Sequence, residues 1–307
     1  MSYRRRRLWT PGRPLDVSAV IGGLHLGRGD PTFRRDPDGT IWRGIRTPQG
    51  ASTLCLGPLA GSGIEATAWG PGAQWVLASV PAMLGDLDDA TGFVAHHAQV
   101  AEAARRFRGW RVPRTGLVLE SLIPSIIAQK VTGQEASGSY RTLVRRYGER
   151  APGEGGVRGL WVAPSARGWA RIPSWEWLRA GVDGARSAAV VRAAGVAGRL
   201  EQCVDLTRDQ ADRRLRAIVG IGAWTAAEVR HTALGDPDAV SFGDYHVAAD
   251  IGWALTGSEV DDDGLAELLE PYAGHRYRVQ GLLKLAGVGR PRHGPRMANR
   301  THLPHRF

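Results

Sequence analysis

Residues Leu215 to Leu234 read Leu-Arg-Ala-Ile-Val-Gly-Ile-Gly-Ala-Trp-Thr-Ala-Ala-Glu-Val-Arg-His-Thr-Ala-Leu, with Gly220-Ile221-Gly222 at the centre. Leu215, Ile218 and Val219 fall on one helical face before the glycines, and Ala226, Val229 and Ala233 recur after them. This spacing predicts two helices joined by a hairpin. The glycines permit a turn too tight for a Cβ and leave amide N–H groups bare at the start of the second helix. Such a helix start favours an anion through its unpaired amides and its dipole. Thr225 and Ala226 are small enough to let the two helices pack closely. On glycine spacing alone, a helix-glycine-helix corner without a ligand is an equal alternative.

The segment that follows is Gly235-Asp236-Pro237-Asp238-Ala239-Val240-Ser241-Phe242-Gly243-Asp244-Tyr245-His246. Asp244 precedes an aromatic residue and opens the pattern Val247, Ile251, Leu255 of a further helix. It reads either as an N-cap, a role for which Asp is favoured, or as a functional carboxylate. Asp236 and Asp238 read as loop acids.

As a whole, the string from Ile218 to Ala226 resembles the helix-hairpin-helix of DNA base-excision glycosylases, and in particular the 3-methyladenine DNA glycosylases of the inducible, alkylation-repair type. The resemblance implies that Asp244 is the catalytic aspartate. It also implies that Gly220, Ile221, Gly222 and Thr225 hold a DNA phosphate, and that carbonyls of Val219 and Ile221 or Gly222 hold a monovalent cation. Leu117 to Thr132 resembles the family helix whose end presents a wedge into the base stack, which marks Gln129 and Lys130; Lys130 reads equally well as a solvated helix charge. Trp224 and Tyr245 flank the hairpin and the carboxylate. An aromatic wall there would attract a cationic alkylated purine by about 0.5–2 kcal/mol, or the two rings could simply fill core. Where the family often has a further pocket aromatic, one turn after Trp224, this chain has Glu228. Tyr272, with His275 and Arg276, could line or close the pocket, or form a structural network.

The implied chemistry needs a carboxylate. Breaking an N-glycosidic bond builds positive charge on the sugar, which a carboxylate stabilises, as in glycoside hydrolysis. Members of the superfamily that also cut the strand carry a lysine early in the second hairpin helix, where its amine forms a Schiff base. This chain has two lysines, Lys130 and Lys284, and Trp224 at the position in question. It therefore resembles the single-function branch. Cys55 and Cys203 are isolated, whereas an iron–sulfur cluster needs four clustered cysteines, so no cluster and no required cofactor are expected.

The chain has 307 residues, 43% of them hydrophobic, and a formal charge of +10. That is enough for one large or two medium domains. So basic a balance implies an anionic partner, and without a long apolar run nucleic acid is a better partner than a membrane. The expected partner is double-stranded DNA with a damaged base, and a monomer suffices for one flipped base. Two lone cysteines fit a reducing cytoplasm, which together with a DNA partner implies a cytoplasmic, nucleoid-associated protein. Met-Ser-Tyr-Arg-Arg-Arg-Arg has no apolar run after it and does not read as a secretory signal.

The expected fold class is α+β: a small N-terminal antiparallel-sheet domain with helices over 1–112, an all-α helix-hairpin-helix domain over 113–288, and a basic, flexible tail over 289–307. In the first part, 32–35 and 40–43 flank Asp36-Pro37-Asp38-Gly39 as a hairpin. Residues 52–56 and 64–69 extend the sheet, and 73–84 and 93–107 read as helices. From Leu117 the period is helical, broken by a Gly/Pro-rich excursion over 151–170. The tryptophans at 161, 169, 175 and 177 read as packing. Two other functions remain compatible with the sequence: a non-catalytic DNA-binding protein that kept the hairpin, and a glycosylase for deaminated or oxidised bases.

Overall fold

Five antiparallel strands, β1 (Arg4–Trp9), β2 (Phe33–Arg35), β3 (Ile41–Thr47), β4 (Gly50–Pro58) and β5 (Ile64–Trp69), form one sheet in the order β1-β5-β4-β3-β2. The computed structural model describes residues 4–59 and 63–291; the part of the expected basic tail beyond Pro291 lies outside them. The turn chemistry of Asp36-Pro37-Asp38-Gly39 joins β2 to β3, with Phe33 opposite Arg43 and Gly39 at φ +87°. Pro48 and Gln49 make the next turn, between the paired Thr47 and Gly50. Strand β1 is not signalled by alternation, because four arginines in succession carry none. As an edge strand it tolerates charge, and its pairing with β5 is fixed by backbone bonds from Arg4 opposite Trp69 to Trp9 opposite Ile64.

The inner face of the sheet packs against the helix Ala73–Met83, burying Ile45, Leu54, Leu56, Ala66, Val76, Val80 and Met83 completely or nearly so. The second expected helix of this part is shorter than its pattern, Ala98–Arg106. Residues 93–97 instead run as an irregular segment whose Phe93 and His97 pack on Tyr272.

The second part is not all-α. Within the Gly/Pro-rich excursion, two short strands, β6 (Glu149–Arg150) and β7 (Trp161–Val162), pair with each other, and short helices occupy Glu154–Val157 and Ala166–Ala170. The excursion plugs the outer face of the large sheet: Trp161 N–H donates to the Pro31 carbonyl at 2.8 Å, and Leu160 and Val162 bury against Trp42 and Ala51. Close approach explains its glycine partners, since a Cβ at Gly44 would lie 2.0 Å from the Trp161 carbonyl oxygen. Trp169 and Trp177 are core residues, stacked at 5.9 Å, but Trp175 is 65% exposed.

The largest core is helical and runs from Val118 to Ala233. It is built by the helices Val118–Ile127, Gly133–Tyr147 and Gly184–Gly195 and by the two hairpin helices. A third core joins Val100 to residues 240–283, and Leu282 of the last helix, Arg276–Ala286, enters the sheet core. Packing therefore crosses residue 112 in both directions. Buried Arg278 reinforces that crossing with two 2.8 Å bonds to the Asp88 carboxylate, both side chains only 2% exposed. At the end of the described chain, Arg290 pairs with Glu259 at 2.9 Å and Asp250 at 3.4 Å.

Candidate hairpin and carboxylate site

The hairpin forms where the glycines predict it. Its first helix is Arg208–Arg216, opened by a Thr207 and Gln210 capping box, and its second is Ala223–Val229, continued by a π-helical turn over Arg230–Leu234. Leu215, Ala226, Val229 and Ala233 are fully buried, as the periodicity requires. Val219 departs from it: the helix has ended by then, and the side chain is 72% exposed at the turn.

The two glycines do different things. Gly220 has φ +98°, and a Cβ there would meet the Cβ of Ala189 on the helix Gly184–Gly195 at 2.9 Å. This position needs glycine for both conformation and space. Gly222 has φ −93°, which any residue adopts, and a Cβ there would have no atom within 4 Å. Among the described residues, nothing accepts the amide N–H groups of Gly222, Ala223 or Trp224. The hairpin thus presents bare donors on an open face.

Gln129, placed by the sequence in the wedge region, braces the hairpin in this structure. Its side-chain amide donates to the Gly220 carbonyl at 2.9 Å and to Thr225 Oγ1 at 2.8 Å, locking the end of the helix Val118–Ile127 to the hairpin. Thr225 is correspondingly 2% exposed, so its hydroxyl serves this brace and does not face outward. Lys130 follows on the surface with φ +55°, a left-handed conformation uncommon outside glycine.

Two of the carbonyls expected to hold a monovalent cation are already engaged. Val219 accepts from Arg192 Nε at 3.0 Å and Gly222 from the Ala226 amide at 3.0 Å, while among the described residues no donor reaches the Ile221 carbonyl. A guanidinium on the Val219 carbonyl is a fixed positive charge where a cation would sit, so this donor set does not fit one.

Asp244 lies in the loop before the helix Val247–Thr256. Its Oδ1 accepts from the amides of His246 at 2.8 Å and Val247 at 3.2 Å, and its Oδ2 accepts from Trp224 Nε1 at 3.1 Å. The cap-like bonds and the bond from the hairpin coexist, and the carboxylate remains partly exposed. Trp224 is therefore a donor to Asp244 and not simply an aromatic wall. Tyr245 is 84% exposed, with its ring edge-on to His246 at 4.9 Å.

The loop acids hold this loop in place. Asp236, 4% exposed, accepts from Arg230 at 2.6 and 3.0 Å and lies 3.2 Å from Arg208. Asp238 accepts from the amides of Gly274 and Arg276 and from the Arg276 guanidinium at 2.8 Å. Gly243 N–H donates to Asp262 at 2.8 Å. Glu228, on the same helix face as Trp224, accepts from Ser241 Oγ at 2.6 Å and lies 3.3 Å from His231 Nε2; Gln280 closes the network on Ser241. Burial works to raise the Glu228 carboxyl, but His231, Ser241 and Lys284 outweigh it and hold it below its ordinary range. Asp262, Ser241 and Gln280 carry no sequence signal of this role.

Tyr272 is not brought to the carboxylate. It is 2% exposed in the third core, its hydroxyl accepting from the His97 amide at 3.0 Å and meeting His97 Nδ1 at 2.8 Å. Burial accordingly pushes its phenol above the ordinary value. His275 and Arg276 belong to the structural network alternative: His275 Nδ1 meets buried Arg278, and Arg276 holds Asp238.

No protein-family model matches the sequence, and no curated protein sequence matches it. Solved structures do share its architecture. The 3-methyladenine DNA glycosylase of Archaeoglobus fulgidus superposes with a TM-score of 0.72 at 17% identity, over 91% of this chain and 98% of that one. The 8-oxoguanine glycosylase/lyase of Clostridium acetobutylicum, in complex with double-stranded DNA, superposes with a TM-score of 0.70 at 11% identity, over 94% and 97%. A 3-methyladenine DNA glycosylase of Schizosaccharomyces pombe in complex with abasic DNA covers 65% of this chain and 96% of its own, with a TM-score of 0.50 at 15% identity. The chain has the fold of the helix-hairpin-helix DNA glycosylases.

Proposed function

We propose that the chain is a monofunctional DNA glycosylase: the hairpin seats a backbone phosphate of duplex DNA, a damaged base turns out of the stack, and Asp244 directs hydrolysis of its N-glycosidic bond. The observation that carries this reading is the 3.1 Å bond from Trp224 Nε1 to Asp244 Oδ2, which ties a partly exposed carboxylate to the helix bearing the bare hairpin amides. Phosphate binding and the reacting sugar are thereby referred to one rigid element.

In this mechanism the bond from C1′ to the base nitrogen breaks with its electron pair leaving on the base. The oxocarbenium-like charge on the sugar faces the Asp244 carboxylate. A water oxygen bonds C1′ as its proton passes to Asp244, giving a free base and an abasic site. Trp224 and the His246 and Val247 amides fix the carboxylate without blocking its remaining lone pairs. No lysine stands at the start of the second hairpin helix, so no Schiff-base step is included.

Alkylated purines are the proposed substrates, a reading supported by the resemblance of the hairpin string. A glycosylase for oxidised bases is the second reading, favoured by the structural likeness of the Clostridium protein, at a TM-score of 0.70 against 0.72. Incubating the protein and its Asp244→Asn variant with duplexes carrying methylated purines or 8-oxoguanine, and quantifying free bases by chromatography, separates the two. We expect methylated bases from the wild type and a rate lower by roughly 10²–10⁴ in the variant, with DNA binding retained. Borohydride is expected to trap no covalent adduct. If neither protein releases a base from any duplex while both bind DNA, a non-catalytic binding protein is the correct reading.

A further inference from the structure

The hairpin carries a charged group that its glycine motif does not announce. Arg192 lies on the helix Gly184–Gly195, three residues after Ala189, the side chain that a Gly220 Cβ would meet. Its Nε donates to the Val219 carbonyl at 3.0 Å, and its Nη2 lies 3.6 Å from where a Gly220 Cβ would be. The guanidinium is therefore laid against the turn at Val219 and Gly220, two residues before the first bare amide. Among the described residues no carboxylate pairs with it, although most arginines around the loop are paired. Its terminal nitrogens have no acceptor there, and the side chain is exposed.

We propose that Arg192 is the built-in cation of this hairpin. Its Nε is spent on the Val219 carbonyl, and its two terminal nitrogens take the oxygens of the phosphate that the hairpin amides receive. The inference rests on the hairpin being a DNA phosphate site. It accounts for the donor set: a guanidinium supplies both the positive charge and a planar pair of donors suited to phosphate. The carbonyl that would otherwise hold a free ion instead orients the arginine. Since the charge is covalently attached, binding needs no particular monovalent ion.

The test uses the full chain and a fluorescent duplex containing a tetrahydrofuran abasic-site analogue, with affinity read by anisotropy between 50 and 200 mM salt. For the wild type, replacing K⁺ by tetramethylammonium at constant ionic strength is expected to leave affinity unchanged. Arg192→Gln is expected to weaken binding about tenfold and to flatten the slope of log affinity against log salt by about 0.9, the signature of one lost phosphate contact. Arg192→Lys, which keeps charge but cannot bridge carbonyl and phosphate together, is expected to keep the slope and lose part of the affinity. Matching melting temperatures check that the exposed substitutions leave the fold intact. A loss of wild-type affinity in tetramethylammonium overturns the proposal, because an ion would then be seated. An unchanged slope in Arg192→Gln, with wild-type binding intact, overturns it too and leaves the glycosylase reading standing. Absence of wild-type binding to any duplex overturns both.

Discussion

Trp224 and Asp244 are joined by a hydrogen bond of 3.1 Å from indole Nε1 to carboxylate Oδ2, across twenty residues of chain. This bond makes the second hairpin helix part of the carboxylate site. Removing the donor while keeping a ring tests it. A hydrogen bond to a charged group contributes about 1.5–3 kcal/mol, so Trp224→Phe is expected to slow single-turnover base release by about ten- to a hundredfold. DNA affinity should be little changed, since the bare amides remain. Equal losses in affinity and rate would show that Trp224 acts on binding and not on the carboxylate.

The two hairpin glycines should separate on substitution. Gly220→Ala forces a side chain into φ +98° against Ala189 and is expected to cost about 1–3 kcal/mol of stability, read by denaturant unfolding. Gly222→Ala meets nothing at φ −93°, and the lost chain freedom of the unfolded state offsets a poorer cap. Its stability should stay within about 0.5 kcal/mol, while the new methyl stands on the open face beside the bare amides and lowers DNA affinity by about tenfold, the scale of one phosphate contact.

Asp88 and Arg278 hold the last helix to the segment after the first sheet helix with two 2.8 Å bonds, both side chains buried. Asp88→Ala leaves the guanidinium buried with its carboxylate partner gone, and a broken buried pair costs about 3–5 kcal/mol. A denaturation midpoint close to that of the wild type would show that water reaches Arg278 in the variant.

Glu228 gives stability a pH dependence of defined sign. Its carboxyl is held below its unfolded value, so it binds a proton less readily folded than unfolded. Its contribution is complete above the unfolded carboxyl range and is lost as pH falls through the lowered folded value. The stability difference between the wild type and Glu228→Gln, measured by urea unfolding, should therefore shrink as pH falls through the acid range. A difference that grows as pH falls would assign the carboxyl the opposite shift.

Some of this was legible because it is local. Backbone geometry at Gly220, turn chemistry at Asp36-Pro37-Asp38-Gly39 and the recurrence of Ala226, Val229 and Ala233 depend on near neighbours in the chain, so the sequence predicts the hairpins and helices that form. Asp244 stands out for the same reason, as an acid opening a helix pattern. Strand β1 was not legible, because Arg4 to Arg7 form a strand only through backbone pairing with β5. Residues 93–97 depart from their helical pattern where Tyr272 packs against them.

The sequence by itself determined the glycine hairpin, a following carboxylate and the scarcity of lysine, since these are properties of residue identity and short-range spacing. Tertiary structure alone decided what the side chains do: Gln129 braces the hairpin, Tyr272 fills a core, Asp236 and Asp238 anchor the loop, and Arg192 covers the Val219 carbonyl. Each of these roles depends on contacts between segments far apart in the chain. A hydrogen bond requires its partners within about 3 Å, and for residues that distant only the packing of cores can set such a separation.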